Sequence, residues 1–164
     1  MACIYKEIAI DAPADSVWSA VRDVGAVHER LVPGVLTDTR LEAGARVVTF
    51  ANGLVVRELI VDVNDERRRL AYTAVGGRTT HHHASIQVLA EGAGASRLVW
   101  ITDLLPAEMA KPVAALVEQG AAVMKQTLEG RHAATGVALL QVAGAEPAED
   151  GGAASGASPR RATR

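Results

Sequence analysis

The chain opens with alternating apolar and polar positions, which predict a β-strand. Ile4, Ile8 and Ile10 recur at even spacing, so their side chains share one face that a sheet would bury. The apolar spacing then changes to that of a helix, with Pro13 placed to begin the first turn. A second short helix is predicted over residues 26–31 and ends at the proline-glycine pair that follows it. The first third of the chain therefore predicts one strand and two short helices.

From residue 35 onward, turn signals divide the chain into apolar runs of strand length. Asn52-Gly53 is the most informative signal, because both residues tolerate the positive φ that a two-residue hairpin requires. The pattern predicts six strands joined as successive antiparallel hairpins. The complete set of turns is Ala43-Gly44, Asn52-Gly53, Asn64-Asp65-Glu66, Gly76-Gly77 and Glu91-Gly92-Ala93-Gly94.

After Pro106 the apolar residues fall three or four apart between Met109 and Thr127, which predicts one face of a long helix. Pro112 would break a hydrogen bond in a helix interior, so it is assigned to the first turn, or else a separate short turn precedes the helix. Gly130 is predicted to end the helix, with a weaker helical pattern continuing to Leu140.

Composition sets the domain organisation. A chain of 164 residues that is 49% hydrophobic supports one buried core and is too short for two independent ones. Residues 1–143 are therefore predicted to form one domain. Residues 144–164 are mostly Gly, Ala, Ser and Pro with scattered charges, and they are predicted to be a disordered tail.

Charge and motifs exclude several function classes. The net charge of −2 lacks the basic patch that nucleic-acid binding requires, so no nucleic-acid partner is expected. Charges interrupt every apolar run, so no membrane insertion is expected, and the N-terminus lacks a secretory pattern. Cys3 is the only cysteine, which suits a cytoplasmic protein. The chain has none of the common phosphate-binding, zinc-protease or nucleophile motifs, and no cofactor is expected.

The order of strand, two short helices, six-stranded meander and long C-terminal helix resembles the START-like helix-grip superfamily (SRPBCC), in particular its polyketide cyclase/dehydrase and lipid-transport branch. The resemblance covers roughly residues 3–130. It is carried by Ile8-Ala9-Ile10-Asp11-Ala12-Pro13 with Val17-Trp18, by Asn52-Gly53 leading into Val56-Arg57-Glu58, by Arg69-Leu70-Ala71-Tyr72, by Ser96-Arg97-Leu98-Val99-Trp100 and by Pro106.

The resemblance implies an α+β fold in which a curved antiparallel sheet of about seven strands wraps around the C-terminal helix. It also implies a cavity between sheet and helix. The expected partner is a small hydrophobic molecule such as a lipid, a polyketide or an aromatic metabolite, and the protein is expected to be a monomer or a homodimer. A single helix is too narrow to cover such a sheet completely, which agrees with a cavity.

Three consecutive histidines on the sixth strand are the sharpest chemical signal. Ile86 and Val88 share a face with His82, so His82 is predicted to point inward while His81 and His83 point outward. An inward His82 donates a hydrogen bond to a ligand carbonyl, acts as a general base, or is an ordinary core histidine. The outward pair would need a further ligand to hold zinc, and no metal site is predicted.

Other candidates come from neighbouring strands and from the long helix. Tyr72 and Trp100 either line the cavity with their polar atoms or simply pack in the core. Glu58 either faces solvent or points inward, where its carboxylate would need a partner. Gly120 either widens the cavity or allows close packing between helix and sheet. The predicted ligand-contacting residues are His28, Phe50, Tyr72, His82, Trp100, Thr102, Leu116, Gly120 and Met124, and the candidates for catalysis are His82, Glu58 and Tyr72.

Three functions fit this pattern. The first is binding or transport of a small hydrophobic ligand. The second is a polyketide cyclase/dehydrase-like reaction in which His82 or Glu58 removes a proton beside a carbonyl and Tyr72 polarises the oxygen. The third is an interaction protein of the co-chaperone type, whose interior would be filled with side chains.

Overall fold

Seven strands form one antiparallel sheet in the computed structural model, which describes residues 1–143 and the side chains of residues 1–136. The strand order across the sheet is β1-β7-β6-β5-β4-β3-β2, so β1 closes the meander by pairing with β7. The strands are β1 (Ala2–Ile10), β2 (Leu36–Glu42), β3 (Ala45–Phe50), β4 (Val55–Asn64), β5 (Arg69–Val75), β6 (His81–Ala90) and β7 (Ser96–Leu105).

Helices cover one side of this sheet. Two short helices, α1 (Ala14–Val21) and α2 (Val27–Arg30), follow β1, and a 3-10 turn (Ala107–Met109) leads into the long helix α3 (Ala110–Ala143). The predicted α+β helix-grip fold is thereby confirmed. The predicted disordered tail, 144–164, lies outside the described residues. Along the part of the chain that is described, no helix is long and apolar enough to cross a membrane.

Helix α3 packs on the sheet through a stripe of small and apolar side chains. Val117, Ala121, Met124 and Leu128 are buried at the three- and four-residue spacing that a helix requires. Pro112 lies in the first turn of α3 and a separate 3-10 turn precedes the helix, so both predicted arrangements occur together.

The predicted helix end at Gly130 is wrong, because α3 continues to Ala143. A glycine ends a helix when it adopts a left-handed conformation, and Gly130 is not among the glycines with positive φ. Its helical conformation costs only about 1 kcal/mol relative to alanine, which its alanine-rich surroundings offset.

Polar contacts join α3 to the edge strand β1. Lys6 Nζ lies 2.6 Å from Glu118 Oε2, and Lys125 Nζ donates to the Ala9 carbonyl at 2.6 Å. The Asp11 N–H, just beyond β1, donates to Glu129 Oε1 at 2.9 Å. These contacts are spread along the helix. They therefore fix the direction of the helix axis beside β1, which a contact at one point would not do.

The β3–β4 hairpin differs from the predicted two-residue turn. The two strands are joined by four residues, 51–54, and only Gly53 has a positive φ, of 85°. The Phe50 N–H donates to the Leu54 carbonyl at 2.8 Å, and the Ala51 N–H donates to the Val35 carbonyl at 3.0 Å. Phe50 therefore lies opposite Leu54, with three residues between them, and the register shifts by one residue relative to the predicted turn. This shift has a direct consequence for the site described next.

Candidate functional site

A cavity of about 130 Å³ lies between the inner face of the sheet, the segment around α2 and the first half of α3. Its walls are mainly Val, Leu and Ile side chains. Of the nine predicted ligand-contacting residues, the structure brings eight to this cavity: Phe50, Tyr72, His82, Trp100, Thr102, Leu116, Gly120 and Met124. Glu58, the remaining candidate for catalysis, also lines it.

His28 is the predicted residue that does not line the cavity. It lies on α2, where its Nε2 atom is 3.5 Å from Glu29 Oε1. Its Nδ1 atom is buried and has no hydrogen-bond partner among the described residues.

The buried partner of Glu58 is Arg46, which the sequence analysis did not identify. Arg46 Nε donates to Glu58 Oε2 at 2.7 Å, and the side chains of Arg46 and Glu58 are only 5% and 13% exposed. The two residues face each other directly across the β3–β4 ladder. A two-residue turn would have placed Val47 opposite Glu58, so the predicted hairpin register concealed the pair. Counting the register from Phe50 opposite Leu54, with three residues in the loop, would have found it.

Arg46 connects three parts of the cavity wall. Besides the Glu58 bond, its Nη1 atom donates to the Val24 carbonyl at 3.4 Å, in the segment between α1 and α2. Its guanidinium carbon lies 5.1 Å from the centre of the Tyr72 ring, within the range of a cation–π interaction. The Arg46 side chain therefore satisfies the buried carboxylate and holds the covering segment against the sheet.

Tyr72 places a phenol in the same wall. Burial raises the pKa of Tyr72 well above its ordinary value, and the nearby Glu58 carboxylate adds to this rise. The hydroxyl therefore stays protonated throughout the physiological range and can act as a hydrogen-bond donor.

Trp100 approaches α3 closely at Gly120. A Cβ atom at position 120 would lie 3.2 Å from Trp100 Cζ3 and 3.3 Å from Cη2, which is tighter than ordinary contact. Gly120 thus allows close packing, one of the two predicted roles, while it also lines the cavity. The indole Nε1–H of Trp100 is buried and makes no well-aligned hydrogen bond in the described part of the chain, although it lies close enough to the Tyr72 hydroxyl to lower the pKa of Tyr72 slightly against the effect of burial.

His82 is held by the backbone of the neighbouring strand. The Ala74 N–H donates to His82 Nδ1 at 3.0 Å, so Nδ1 must carry a lone pair. In the neutral imidazole the proton is then on Nε2, which makes that atom a donor and not a base. Burial lowers the pKa of His82, and the neighbouring histidines, His83 and His81, lower it further against an opposing effect of Glu58.

This arrangement leads to a pH-dependent stability. Because the pKa of folded His82 lies below its ordinary value of 6.5, the unfolded chain takes up a proton that the folded chain resists. The free energy of unfolding should therefore decrease as the pH falls below about 6.5. Urea unfolding between pH 7.5 and pH 5 measures the dependence, and His82→Gln, which can still accept from Ala74, should show a shallower slope. Equal slopes in the two proteins would contradict a buried neutral His82.

No group of three or more His, Cys, Asp or Glu side chains within the described residues is arranged to hold a metal ion. The outward His81 and His83 lie on the other face of the sheet, with His83 opposite Asp103 on β7. The polar side chains that line the cavity are those of Arg46, Glu58, Tyr72, His82, Trp100 and Thr102.

Comparisons with known proteins agree with this architecture. A family model described as polyketide cyclase / dehydrase and lipid transport matches residues 1–131. Among curated proteins, none matches the chain.

Several solved structures share the fold at low sequence identity. The XoxI protein of Bacillus cereus is 18% identical with a TM-score of 0.71, covering 83% of this chain and 99% of its own. A point mutant of norcoclaurine synthase from Thalictrum flavum, in complex with a transition state analogue, is 22% identical with a TM-score of 0.65, covering 82% and 96%. The di-domain ARO/CYC protein BexL of the BE-7585A biosynthetic pathway is 18% identical with a TM-score of 0.69, covering 79% of this chain and 47% of that chain.

Proposed function

Because the chain belongs to the polyketide cyclase/dehydrase and lipid transport family, we propose that it binds a small hydrophobic molecule carrying a polar group, in the cavity between the sheet and α3. The apolar part of the ligand packs against the Val, Leu and Ile side chains of the wall. The polar group accepts hydrogen bonds from the donors that converge there, namely Tyr72, His82 and Trp100.

The observation that carries this proposal is unfilled apolar space beside buried hydrogen-bond donors. A cavity of about 130 Å³ is comparable to engineered cavities of about 150 Å³ that stay dry and bind benzene. Within the described residues the Trp100 Nε1–H makes only a weak contact with the Tyr72 hydroxyl, and an acceptor on a guest would complete its hydrogen bonding. An interior filled with side chains, as the interaction-protein hypothesis requires, does not agree with this space.

A second candidate is a cyclase/dehydrase-like enzyme, which the carboxylate of Glu58 beside Tyr72 and His82 favours. In this alternative Glu58 accepts the proton, because His82 Nδ1 is occupied by the Ala74 N–H. His82 Nε2–H and the Tyr72 hydroxyl then stabilise the developing oxyanion. A carrier returns its ligand unchanged and an enzyme returns it altered, so mass spectrometry of the extracted molecule distinguishes the two.

Equilibrium binding of single-ring probes tests the binding function. Toluene and indole should bind saturably and raise the melting temperature, by the linkage between ligand binding and folding. Leu116→Phe adds a ring to the cavity wall, and we expect it to weaken both probes about tenfold, or about 1.4 kcal/mol. Ala122→Phe adds the same ring on the exposed face of α3 and should leave the dissociation constants unchanged. Absence of saturable binding by the unmodified protein would overturn the proposal.

A further inference from the structure

The sheet divides between β5 and β6. Their ladder ends at the pair of Tyr72 and Ala84, although both strands extend beyond it. Past this point β5 stays paired with β4, as Glu58 opposite Ala74 shows, and β6 stays paired with β7, as His82 opposite Leu104 shows. A gap therefore opens in the sheet wall of the cavity.

Side chains close this gap in place of a backbone ladder. The Thr73 hydroxyl donates to the His82 carbonyl, and the Ala74 N–H donates to His82 Nδ1 at 3.0 Å. These contacts satisfy backbone groups that the missing ladder would otherwise leave unpaired. Unlike backbone ladder bonds, each requires only a side-chain rotation to break.

A second pocket of about 540 Å³ lies over the gap, on the side away from the cavity. Its lining includes the hydroxyls of Thr73, Thr79 and Thr80, the imidazoles of His81 and His83, and the carboxylate of Asp103. Among the described residues, His82 alone lines both this outer pocket and the inner cavity. Its imidazole thus lies between the mainly apolar cavity and an outer pocket of mixed polar and apolar lining.

The inner cavity alone is small for a biological ligand. Small-molecule sites usually enclose about 300 to 1,000 Å³, whereas this cavity holds about 130 Å³, enough for one ring. A larger ligand must extend beyond it, and the outer pocket offers the adjoining space.

We propose that the gap between β5 and β6 is an opening through the sheet, closed by the His82 side chain, and that the outer pocket binds a second polar group of the ligand, at the far end of a chain whose ring and first polar group occupy the inner cavity. The outer lining combines hydroxyls, imidazoles and a carboxylate. The Asp103 carboxylate disfavours an anion, and the hydroxyls and imidazoles offer both donors and acceptors, so the group we assign to this pocket is a neutral hydrogen-bonding one, such as a hydroxyl or an amide. The identity of this ligand rests on the proposed binding function, but the opening itself can be tested without a ligand.

Solvent exchange of the Trp100 indole proton, measured by NMR, tests the opening. Trp100 lines the inner cavity, whereas the Trp18 indole donates to Asp65 Oδ1 at 2.9 Å and reports on general loosening of the fold. His82→Ala should accelerate Trp100 exchange at least tenfold and change Trp18 exchange less than twofold. His82→Gln, which still fills the gap and can accept from Ala74, should exchange like the unmodified protein.

Two further variants keep the test decisive. If His82→Ala does not fold, Thr73→Val removes the other bridge and should accelerate Trp100 exchange about threefold. Leu116→Ala is the control, because it enlarges the inner cavity from α3 without opening the sheet. Two results would overturn the proposed opening. One is that Leu116→Ala accelerates Trp100 exchange as much as His82→Ala does. The other is that neither His82→Ala nor Thr73→Val accelerates it.

A pair of probes tests the ligand class. Butylbenzene and 4-phenylbutan-1-ol share a skeleton and differ in one hydroxyl. The double variant of Thr79→Val and Thr80→Val should weaken 4-phenylbutan-1-ol at least fivefold and leave butylbenzene within twofold. Equal effects on both probes would overturn the outer subsite. If neither probe binds the unmodified protein, the proposed binding function is wrong. If butylbenzene binds but substitution of His82 leaves Trp100 exchange unchanged, only the proposed opening is wrong.

Discussion

Replacing Arg46 with methionine should lower the free energy of unfolding by about 3 kcal/mol, because it leaves the Glu58 carboxylate buried without its partner. The side chain of Glu58 is 13% exposed, so water replaces the lost guanidinium only in part. The cation–π contact with Tyr72 and the bond to the Val24 carbonyl are lost as well. Urea unfolding monitored by circular dichroism gives the difference.

Two comparisons isolate the buried charge as the cause. Arg57→Met removes an ion pair between β4 and the end of β2, where Arg57 Nε lies 2.9 Å from Glu42 Oε2 and the side chains are 45% and 30% exposed. This variant should lower the free energy of unfolding by less than about 1 kcal/mol. The double variant of Arg46→Met and Glu58→Leu, which removes both charges, should recover most of the stability. If Arg46→Met and Arg57→Met lower the free energy of unfolding by the same amount, the proposed role of burial is wrong.

Replacing Gly120 with leucine should abolish binding of single-ring probes, weakening it about 100-fold, while the protein stays folded. A Cβ atom alone would approach Trp100 to 3.2 Å, so a leucine side chain must displace the indole and occupy the space that the probe needs. The gain in helix propensity of about 1 kcal/mol offsets part of the packing strain. Isothermal titration with toluene, together with a thermal unfolding curve, separates loss of binding from loss of fold.

Gly130→Leu is the matched control for this variant. It makes the same substitution on the same helix, but within the described residues nothing beyond its chain neighbours and the adjoining helix backbone lies within 4 Å of a Cβ placed there. Its dissociation constant should equal that of the unmodified protein, and its stability should rise slightly. Retained toluene binding by Gly120→Leu would show that the probe sits elsewhere.

The fold followed from the sequence because its signals are local. Alternation of apolar residues marks strands, glycine pairs mark turns, and a three- to four-residue period marks α3. The inward position of His82 follows from the same two-residue alternation along β6, since Ile86 and Val88 fix the phase.

The buried ion pair was not predictable in the same way, because it depends on the length of one hairpin loop, which Asn52-Gly53 alone does not fix. With three residues between Phe50 and Leu54, instead of two between Ala51 and Leu54, Arg46 lies opposite Glu58. The gap beside His82 is also invisible in the sequence. It arises where two neighbouring strands follow different partners, and no local pattern encodes the point at which a ladder stops.

The bonds between α3 and β1 have one further consequence. Lys6, Lys125 and Asp11 all join the helix to the same border of the sheet. Because all three bonds lie on that border, any change in the width of the cavity would leave the junction of α3 with β1 in place. Such a change would have to come from the side of the helix that faces the cavity, where Leu116, Gly120 and Met124 lie.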